Sequence, residues 1–217
     1  MAIGIPEREA RRVEHEPRAL EMSPAPPTEK ENRAFGPAGV TVGYLAPEAR
    51  DLLGRAERLA SESDAVVVVV GTNEDWESEG FDRESMSLPG AQDELIARVA
   101  GAHPEVVVVV NAGSPVAMPW AAEVGAILQL WFPGQEAGNA LADVLFGDVN
   151  PSARLPVTVP ESLADSGAAA GYPAVHGRLA YGEGVNVGYR HFDATGIEPR
   201  FCFGHGLSYT SFSYGPV

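Results

Sequence analysis

The sequence predicts an α/β fold, specifically a three-layer α/β/α sandwich around a mostly parallel, flavodoxin-like sheet. Two runs of β-branched residues, Ala65–Val70 and Val106–Val110, are apolar on both faces, as strands inside a parallel sheet are. Amphipathic helical segments separate the apolar runs, and this alternation is typical of βαβ units. A long polar loop, residues 71–90, follows the first run and lies where ligands bind in such sheets.

The elements of the first half follow in a regular order. Residues 1–39 contain six prolines and no sustained apolar period, which predicts a poorly ordered segment. Val40–Leu45 alternates apolar and small residues and predicts a short strand. Pro47 then opens a helix over 48–61, and Ala65–Val70 predicts a central strand. We therefore place the sandwich domain at 40–165.

The second half completes the sheet and then becomes irregular. The remaining predicted elements are a helix at Ala91–Ala102, a strand at Val106–Val110, a short helix at Pro119–Glu123, a strand at Ala126–Trp131 and a helix at 135–146. Gly134 and Gly147 are expected to adopt positive φ, at a turn and at a helix end. Residues 166–217 are rich in Gly, Pro and aromatics, which predicts an irregular extension of the same domain.

Composition excludes several classes of function. The 217 residues carry 30 acidic and 15 basic side chains, a net charge of −15, which argues against nucleic acid or an anionic membrane as partner. The apolar runs are far shorter than the ~20 residues of a membrane span. Cys202 is the single cysteine, so no internal disulfide or cysteine-based zinc site is expected. No secretory signal follows Met1, so a start at that residue predicts a cytoplasmic location.

The loop of residues 71–90 is far longer than the usual ~2–6 residues between a strand and a helix. It holds six carboxylates between positions 74 and 84, together with Trp76 and Phe81. Aromatic faces beside carboxylates suit a sugar ring, although an ordinary acidic surface loop is the alternative. A calcium loop starting at Asp75 fails, because Arg83 and Met86 occupy ligand positions. Phosphate-binding glycine motifs are absent too, and no metal or cofactor is expected.

Several motifs resemble one known family. They are Gly71-Thr72-Asn73, Trp76–Arg83, Leu88-Pro89-Gly90, Asn111–Val116, Trp131–Glu136, Ala142–Gly147, Asn150-Pro151-Ser152, Arg154-Leu155-Pro156, Tyr181–Gly184, Gly188-Tyr189-Arg190 and Phe203–Thr210. In this order they resemble the second, C-terminal α/β domain of glycoside hydrolase family 3, which includes β-glucosidases. The resemblance covers about residues 55–214 and implies a hydrolase of O-glycosidic bonds that acts on a β-glucoside or a related carbohydrate.

The resemblance also implies roles for the loop. Members of the family cleave with retention, using a nucleophilic aspartate on a (β/α)8 barrel and a general acid/base carboxylate on the second domain. Glu79 precedes Gly80 and Phe81 as the family's acid/base precedes its motif, and Glu77 is the runner-up. The remaining assignments are substrate-binding or loop-shaping roles for Trp76, Phe81, Asp82 and Arg83. Arg83 is expected to pair with a loop carboxylate and fix the shape of the loop.

The chain differs from members of the family because it has no room for the (β/α)8 barrel. It is too short to hold a (β/α)8 barrel beside this domain, so we expect the barrel to be supplied in cis or in trans and the chain alone to be inactive. We interpret the motif at Trp131 as architectural, although a Trp at the end of a strand could face the sugar. Two alternatives stay open: a non-catalytic sugar-binding or interaction module, and an inactive truncated gene product.

Overall fold

The computed structural model describes residues 51–216, so the predicted segment 1–39 and strand Val40–Leu45 lie outside the described residues. The elements are α1 (Leu52–Ser61), β1 (Val66–Gly71), α2 (Gln92–Ala102), β2 (Val106–Asn111), β3 (Ala126–Gln129), a 3-10 helix (Gly134–Glu136), α3 (Ala137–Leu145), a second 3-10 helix (Leu163–Asp165) and α4 (Tyr189–Thr195). None of these helices is long and apolar enough to cross a membrane. The division into 1–39, 40–165 and 166–217 stays a prediction.

The sheet confirms the predicted α/β class with parallel strands. Its order is β1-β2-β3, and both pairs of neighbouring strands are parallel. The register aligns Gly71 with Asn111, so the carboxyl ends of β1 and β2 lie side by side. A Cβ at Gly71 would lie 2.0 Å from the Asn111 carbonyl oxygen, so this close approach requires glycine. The loops after the two strands therefore start from one point.

The main apolar core lies on one face of this sheet. Its strand residues are Val68 and Val70 of β1 and the alternate valines of β2. Helix α2 covers them with Ile96 and Val99, which are 0% and 3% exposed, as the helical period predicts. Helix α1 packs against α2 and contributes Ala60 to the same cluster. At its N-terminus the Asp51 side chain accepts a hydrogen bond from the Gly54 amide, 3.1 Å long.

The prediction that β1 is a central strand is wrong for the described sheet, in which β2 is central and β1 is an edge. Val67 and Val69 on the second face of β1 are 45% and 60% exposed, whereas Val109 of β2 is fully buried. A valine run predicts an extended strand, but the number of neighbours depends on the rest of the sheet.

The predicted helix at Pro119–Glu123 is also wrong, because this segment forms turns. Its backbone bonds join residues three apart, from the Ala121 amide to the Met118 carbonyl and from the Glu123 amide to the Trp120 carbonyl. The turns place Trp120, 2% exposed, in the core. The indole N–H of Trp120 donates to Asp93 at 2.8 Å, which satisfies the buried polar atom. The segment therefore forms turns that bury Trp120, although its sequence has a weak helical pattern.

The later elements agree with the predictions in part. Gly134 and Gly147 have φ of +77° and +81°, which confirms the positive φ expected at both residues. Strand β3 ends two residues before Trp131, whose φ of +58° is incompatible with an extended strand. The extension expected to be irregular contains helix α4, bounded by Gly188 and Gly196 with φ of +58° and +68°. Glycines at both ends were the available signal for this helix.

Candidate functional site

The loop after β1 is anchored through the carboxylate of Glu77. Its Oε1 atom accepts hydrogen bonds from the Thr72 hydroxyl at 2.5 Å and from the Gly113 amide at 3.2 Å. The same oxygen lies 3.7 Å from Nη1 of Arg83, and the Glu77 side chain is only 14% exposed. Thr72 follows β1 and Gly113 follows β2, so one carboxylate joins the loops that leave the two strands. Glu77 is therefore committed to contacts within the protein.

Arg83 connects the same loop to the loop that follows β2. Its Nη1 donates to the Ser114 hydroxyl at 2.7 Å and to the Pro115 carbonyl at 3.4 Å. Nε and Nη2 donate to the Ser85 carbonyl at 3.3 and 3.2 Å. The side chain is 16% exposed, so solvent screens its interaction with Glu77 less than it would on the surface. The planar fork of the guanidinium makes all of these contacts at once.

Glu79 differs from Glu77 in both its exposure and its contacts. Its side chain is exposed, and it has no hydrogen bond or ion pair with any residue in 51–216. An isolated antiparallel bridge joins Ser78 to Phe81, which places Glu79 and Gly80 at the tip of a tight turn. The Gly80 amide donates to the Ser78 hydroxyl at 3.2 Å and closes that turn. The loop therefore holds one carboxylate inside and presents another to solvent.

The other predicted site residues lie around this turn. Trp76 is 47% exposed, and Phe81 is half-buried. Asp82 is exposed and accepts a hydrogen bond from the Tyr172 hydroxyl. This hydrogen bond, with smaller contributions from desolvation and from the negative charge of Asp82, raises the pKa of Tyr172. The extension thus contacts the loop, which the sequence did not indicate.

Sequence reasoning placed the loop after β2 at this edge of the sheet but missed its contacts with Glu77 and Arg83. A Cβ at Gly113 would lie 2.6 Å from the Phe132 ring and 2.8 Å from Oε2 of Glu77, so only glycine allows both groups to pack there. The motif Asn111–Val116 was noted, but no role followed from it. Phe132, after β3, is 52% exposed and lies at the same edge of the sheet. Residues that follow β1, β2 and β3 therefore lie together at this edge of the sheet.

The chemistry available here is that of carboxylates, hydroxyls and aromatic rings. Across residues 51–216 no three His, Cys, Asp or Glu side chains are grouped so that they could hold a metal ion. The Glu79 carboxylate is exposed to solvent at the tip of the turn. Glu77 and Arg83 fix the loop on which Glu79 lies.

Comparison with known proteins identifies the family of the chain. A model of the glycosyl hydrolase family 3 C-terminal domain matches residues 10–209. The probable β-glucosidase J of Aspergillus fumigatus is 50% identical over 180 residues, which are 82% of this chain and 21% of that protein. The probable β-glucosidase I of Aspergillus clavatus is 46% identical over 198 residues, 89% of this chain and 24% of that protein.

The similarity extends to solved structures. The β-glucosidase of Kluyveromyces marxianus, solved in complex with glucose, superposes with a TM-score of 0.72 at 42% identity, over 73% of this chain and 19% of that chain. The chain thus spans about a quarter or less of the length of the relatives it matches. The chain belongs to glycosyl hydrolase family 3, of which it carries the C-terminal domain.

Proposed function

We propose that this chain supplies the general acid/base carboxylate of a retaining β-glucosidase, and that Glu79 is that carboxylate. The relatives named above are β-glucosidases, which supports the reaction class. The exposure of Glu79 at the tip of the turn between Ser78 and Phe81, with no partner in the described part of the chain, is the observation that carries the assignment. A general acid must reach the glycosidic oxygen and exchange a proton with it.

The contacts of Glu77 favour a different role for that residue. Its Oε1 atom already accepts two hydrogen bonds and faces Arg83. A general acid must reach the glycosidic oxygen, whereas these contacts hold the Glu77 carboxylate inside the protein. We therefore assign Glu77 and Arg83 to holding the turn that carries Glu79. Trp76, next to Glu77 and about half exposed, offers a ring face to the sugar.

The mechanism needs a second carboxylate from outside this domain. In a retaining glycosidase the acid protonates the leaving-group oxygen while a nucleophile attacks the anomeric carbon from the opposite side. The same residue then removes a proton from the water that hydrolyses the glycosyl-enzyme. The two carboxyl groups must lie ~5–5.5 Å apart across the sugar. We propose that a (β/α)8 barrel, in cis or in trans, brings the nucleophile and most contacts to a β-glucoside.

The substitution Glu79→Gln tests this assignment in a complete enzyme, in which the chain replaces the matching segment of a β-glucosidase relative. We expect kcat/KM for methyl β-glucoside to fall by roughly 10²–10⁴, because its leaving group needs protonation. The first step with 2,4-dinitrophenyl β-glucoside, measured as a burst, should be nearly unchanged. Glu74→Gln, an exposed change on the same loop, is the control. Equal losses for both substrates, or none, would reject the assignment.

A further inference from the structure

The side chain of Gln92, the first residue of α2, joins the two ends of the loop that carries Glu79. Its Oε1 atom accepts a hydrogen bond from the Gly71 amide at 2.7 Å. Its Nε2 atom donates to the Gly71 carbonyl at 2.9 Å and to the Pro89 carbonyl at 3.0 Å. Gly71 is the last residue of β1, and Pro89 lies just before α2. One side chain therefore closes the segment 72–88 at both of its ends.

The three bonds make the residue type specific. They use both N–H protons and the oxygen of the Gln92 carboxamide, whose side chain is half-buried. The opposite orientation of the amide would direct its protons at the Gly71 amide and its oxygen at two carbonyls. An ionised glutamate of the same shape has no donor, and a leucine has neither donor nor acceptor. Glutamine is therefore the side chain of this length that makes all three bonds.

Gln92 lies at the free edge of β1 in the sheet of residues 51–216. The Thr72 amide donates to the Asn111 carbonyl of β2 at 3.1 Å. Because the N–H and C=O groups of successive strand residues point to opposite sides, those of Gly71 point away from β2. Such groups are ordinarily satisfied by a neighbouring strand, and here Gln92 satisfies them instead. The point from which the loop leaves β1 is therefore held on both sides.

Hydrogen bonds connect this point to the turn that carries Glu79. Thr72 follows Gly71 directly, and its hydroxyl donates to the Glu77 carboxylate. Glu77 directly precedes the turn that the isolated bridge closes. Gln92 fixes the backbone of Gly71, so it also fixes the place from which Thr72 reaches Glu77. The contacts therefore lead from Gln92 to the base of the turn.

The second end of the loop is attached to the core. The Met86 carbonyl accepts a hydrogen bond from the Ala117 amide at 2.8 Å, and Leu88 is 4% exposed within the main apolar cluster. Pro89 follows Leu88 and accepts the third bond of Gln92. Gln92 therefore sets the separation between a loop end at β1 and a loop end held by the core.

We propose that Gln92 is a positioning residue for catalysis, which places the Glu79 carboxylate by holding the two ends of its loop together. The inference rests on the proposed function, because it takes Glu79 to be the general acid/base. Gln92 acts through the loop and needs no contact with the substrate. A displacement of ~1 Å at a catalytic group can cost about 10²-fold in rate, so loss of these bonds should reduce proton transfer.

The first measurement is ¹⁵N relaxation of the folded 217-residue chain, which requires no activity. In Gln92→Leu, which makes none of the three bonds, amide order parameters in 73–84 should fall from about 0.85 to below ~0.6. Those of β2 should stay at their wild-type values. Because order parameters report motion within the folded state, a general loss of stability would not lower them in the loop alone. Gln135→Leu, the same change at an exposed glutamine, is the control and should alter neither set.

The second measurement is the dependence on the leaving group in the complete enzyme. Gln92→Leu should lower kcat/KM for methyl β-glucoside by roughly tenfold to hundredfold, because that leaving group needs the proton of Glu79. The burst with 2,4-dinitrophenyl β-glucoside, which needs no proton, should stay within about twofold of wild type. A role in folding alone would lower both.

Gln92→Glu serves as a second variant, in case Gln92→Leu does not fold. It keeps the shape of the side chain and the acceptor for the Gly71 amide, but at neutral pH its carboxylate faces the carbonyls of Gly71 and Pro89 without a donor. We expect the same mobile loop and the same selective loss with methyl β-glucoside.

Two results would overturn the inference: wild-type order parameters in the loop of the Gln92 variants, or equal losses with the two glucosides. If Glu79→Gln shows its selective loss and the Gln92 variants do not, the inference alone fails. If Glu79→Gln has no selective effect, the proposed function fails, whatever the relaxation data show for the loop. The two failures can therefore be distinguished.

Discussion

The substitution Glu77→Gln removes a negative charge from a carboxylate that the fold has almost enclosed. One oxygen of that carboxylate accepts bonds from Thr72 and Gly113 and lies 3.7 Å from Arg83. Glutamine has the same shape, but its amide group replaces one oxygen with a donor. The Arg83 guanidinium, 16% exposed, then loses its counter-charge while it stays largely out of water.

The expected cost follows from these contacts. Hydrogen bonds to a charged group contribute roughly 1.5–3 kcal/mol each, and part of that remains with a neutral acceptor. We therefore expect Glu77→Gln to lower the free energy of unfolding by about 2 kcal/mol. For a chain of this size, ~2–4 °C per kcal/mol converts that loss into a Tm lower by about 4–8 °C.

The assay is thermal unfolding of the 217-residue chain, followed by circular dichroism, for Glu77→Gln and Glu79→Gln in parallel. The two substitutions are chemically identical and only two residues apart. Because Glu79 is exposed and has no partner in residues 51–216, its change should stay within about 0.5 kcal/mol of wild type. Equal Tm values for the two variants, or a larger loss for Glu79→Gln, would refute the separation of roles.

Three further predictions follow from the same loop. Arg83→Lys keeps the charge but loses the planar guanidinium that reaches Ser85, Ser114 and Pro115. Thermal unfolding should therefore show a free energy of unfolding lower by roughly 1–3 kcal/mol. Arg55→Lys, at an exposed position, is the control and should leave it unchanged. Asp82→Asn should lower the raised pKa of Tyr172 toward its ordinary 10.0; ultraviolet titration compared with Tyr172→Phe measures this, and an unchanged pKa would contradict the contact. The purified chain alone should release no nitrophenol from 4-nitrophenyl β-glucoside, because neighbouring carboxylates on one loop approach the sugar from the same side and leave no nucleophile opposite the acid; turnover abolished by Glu79→Ala would contradict this.

The elements that the sequence predicted well are those with a strong local pattern. The valine runs produced β1 and β2, and the helical period of α2 placed Ile96 and Val99 in the core. The edge position of β1 in the sheet of residues 51–216 could not be predicted, because it depends on whether another strand pairs with its other side. Helix α4 was missed because its seven residues are too few to show an apolar period.

The candidate site was predictable as a loop but not as an arrangement. Six carboxylates beside two aromatics identified residues 71–90, yet apart from the family motif after Glu79 nothing local distinguished Glu77 from Glu79. The difference depends on the Gly113 amide and on Arg83, which reaches Ser114. Residues 113 and 114 are more than 30 positions away and meet the loop only because β1 and β2 are neighbours. Such contacts require the folded sheet.

The measurement that tests the central claim most directly is chemical rescue of Glu79→Ala in the complete enzyme with 2,4-dinitrophenyl β-glucoside. Removal of the base should leave the glycosyl-enzyme to accumulate, because water then attacks it slowly. Azide needs no base, so it should restore turnover and yield β-glucosyl azide with retained configuration. Wild-type turnover without azide, or rescue in Glu77→Ala but not in Glu79→Ala, would contradict the account.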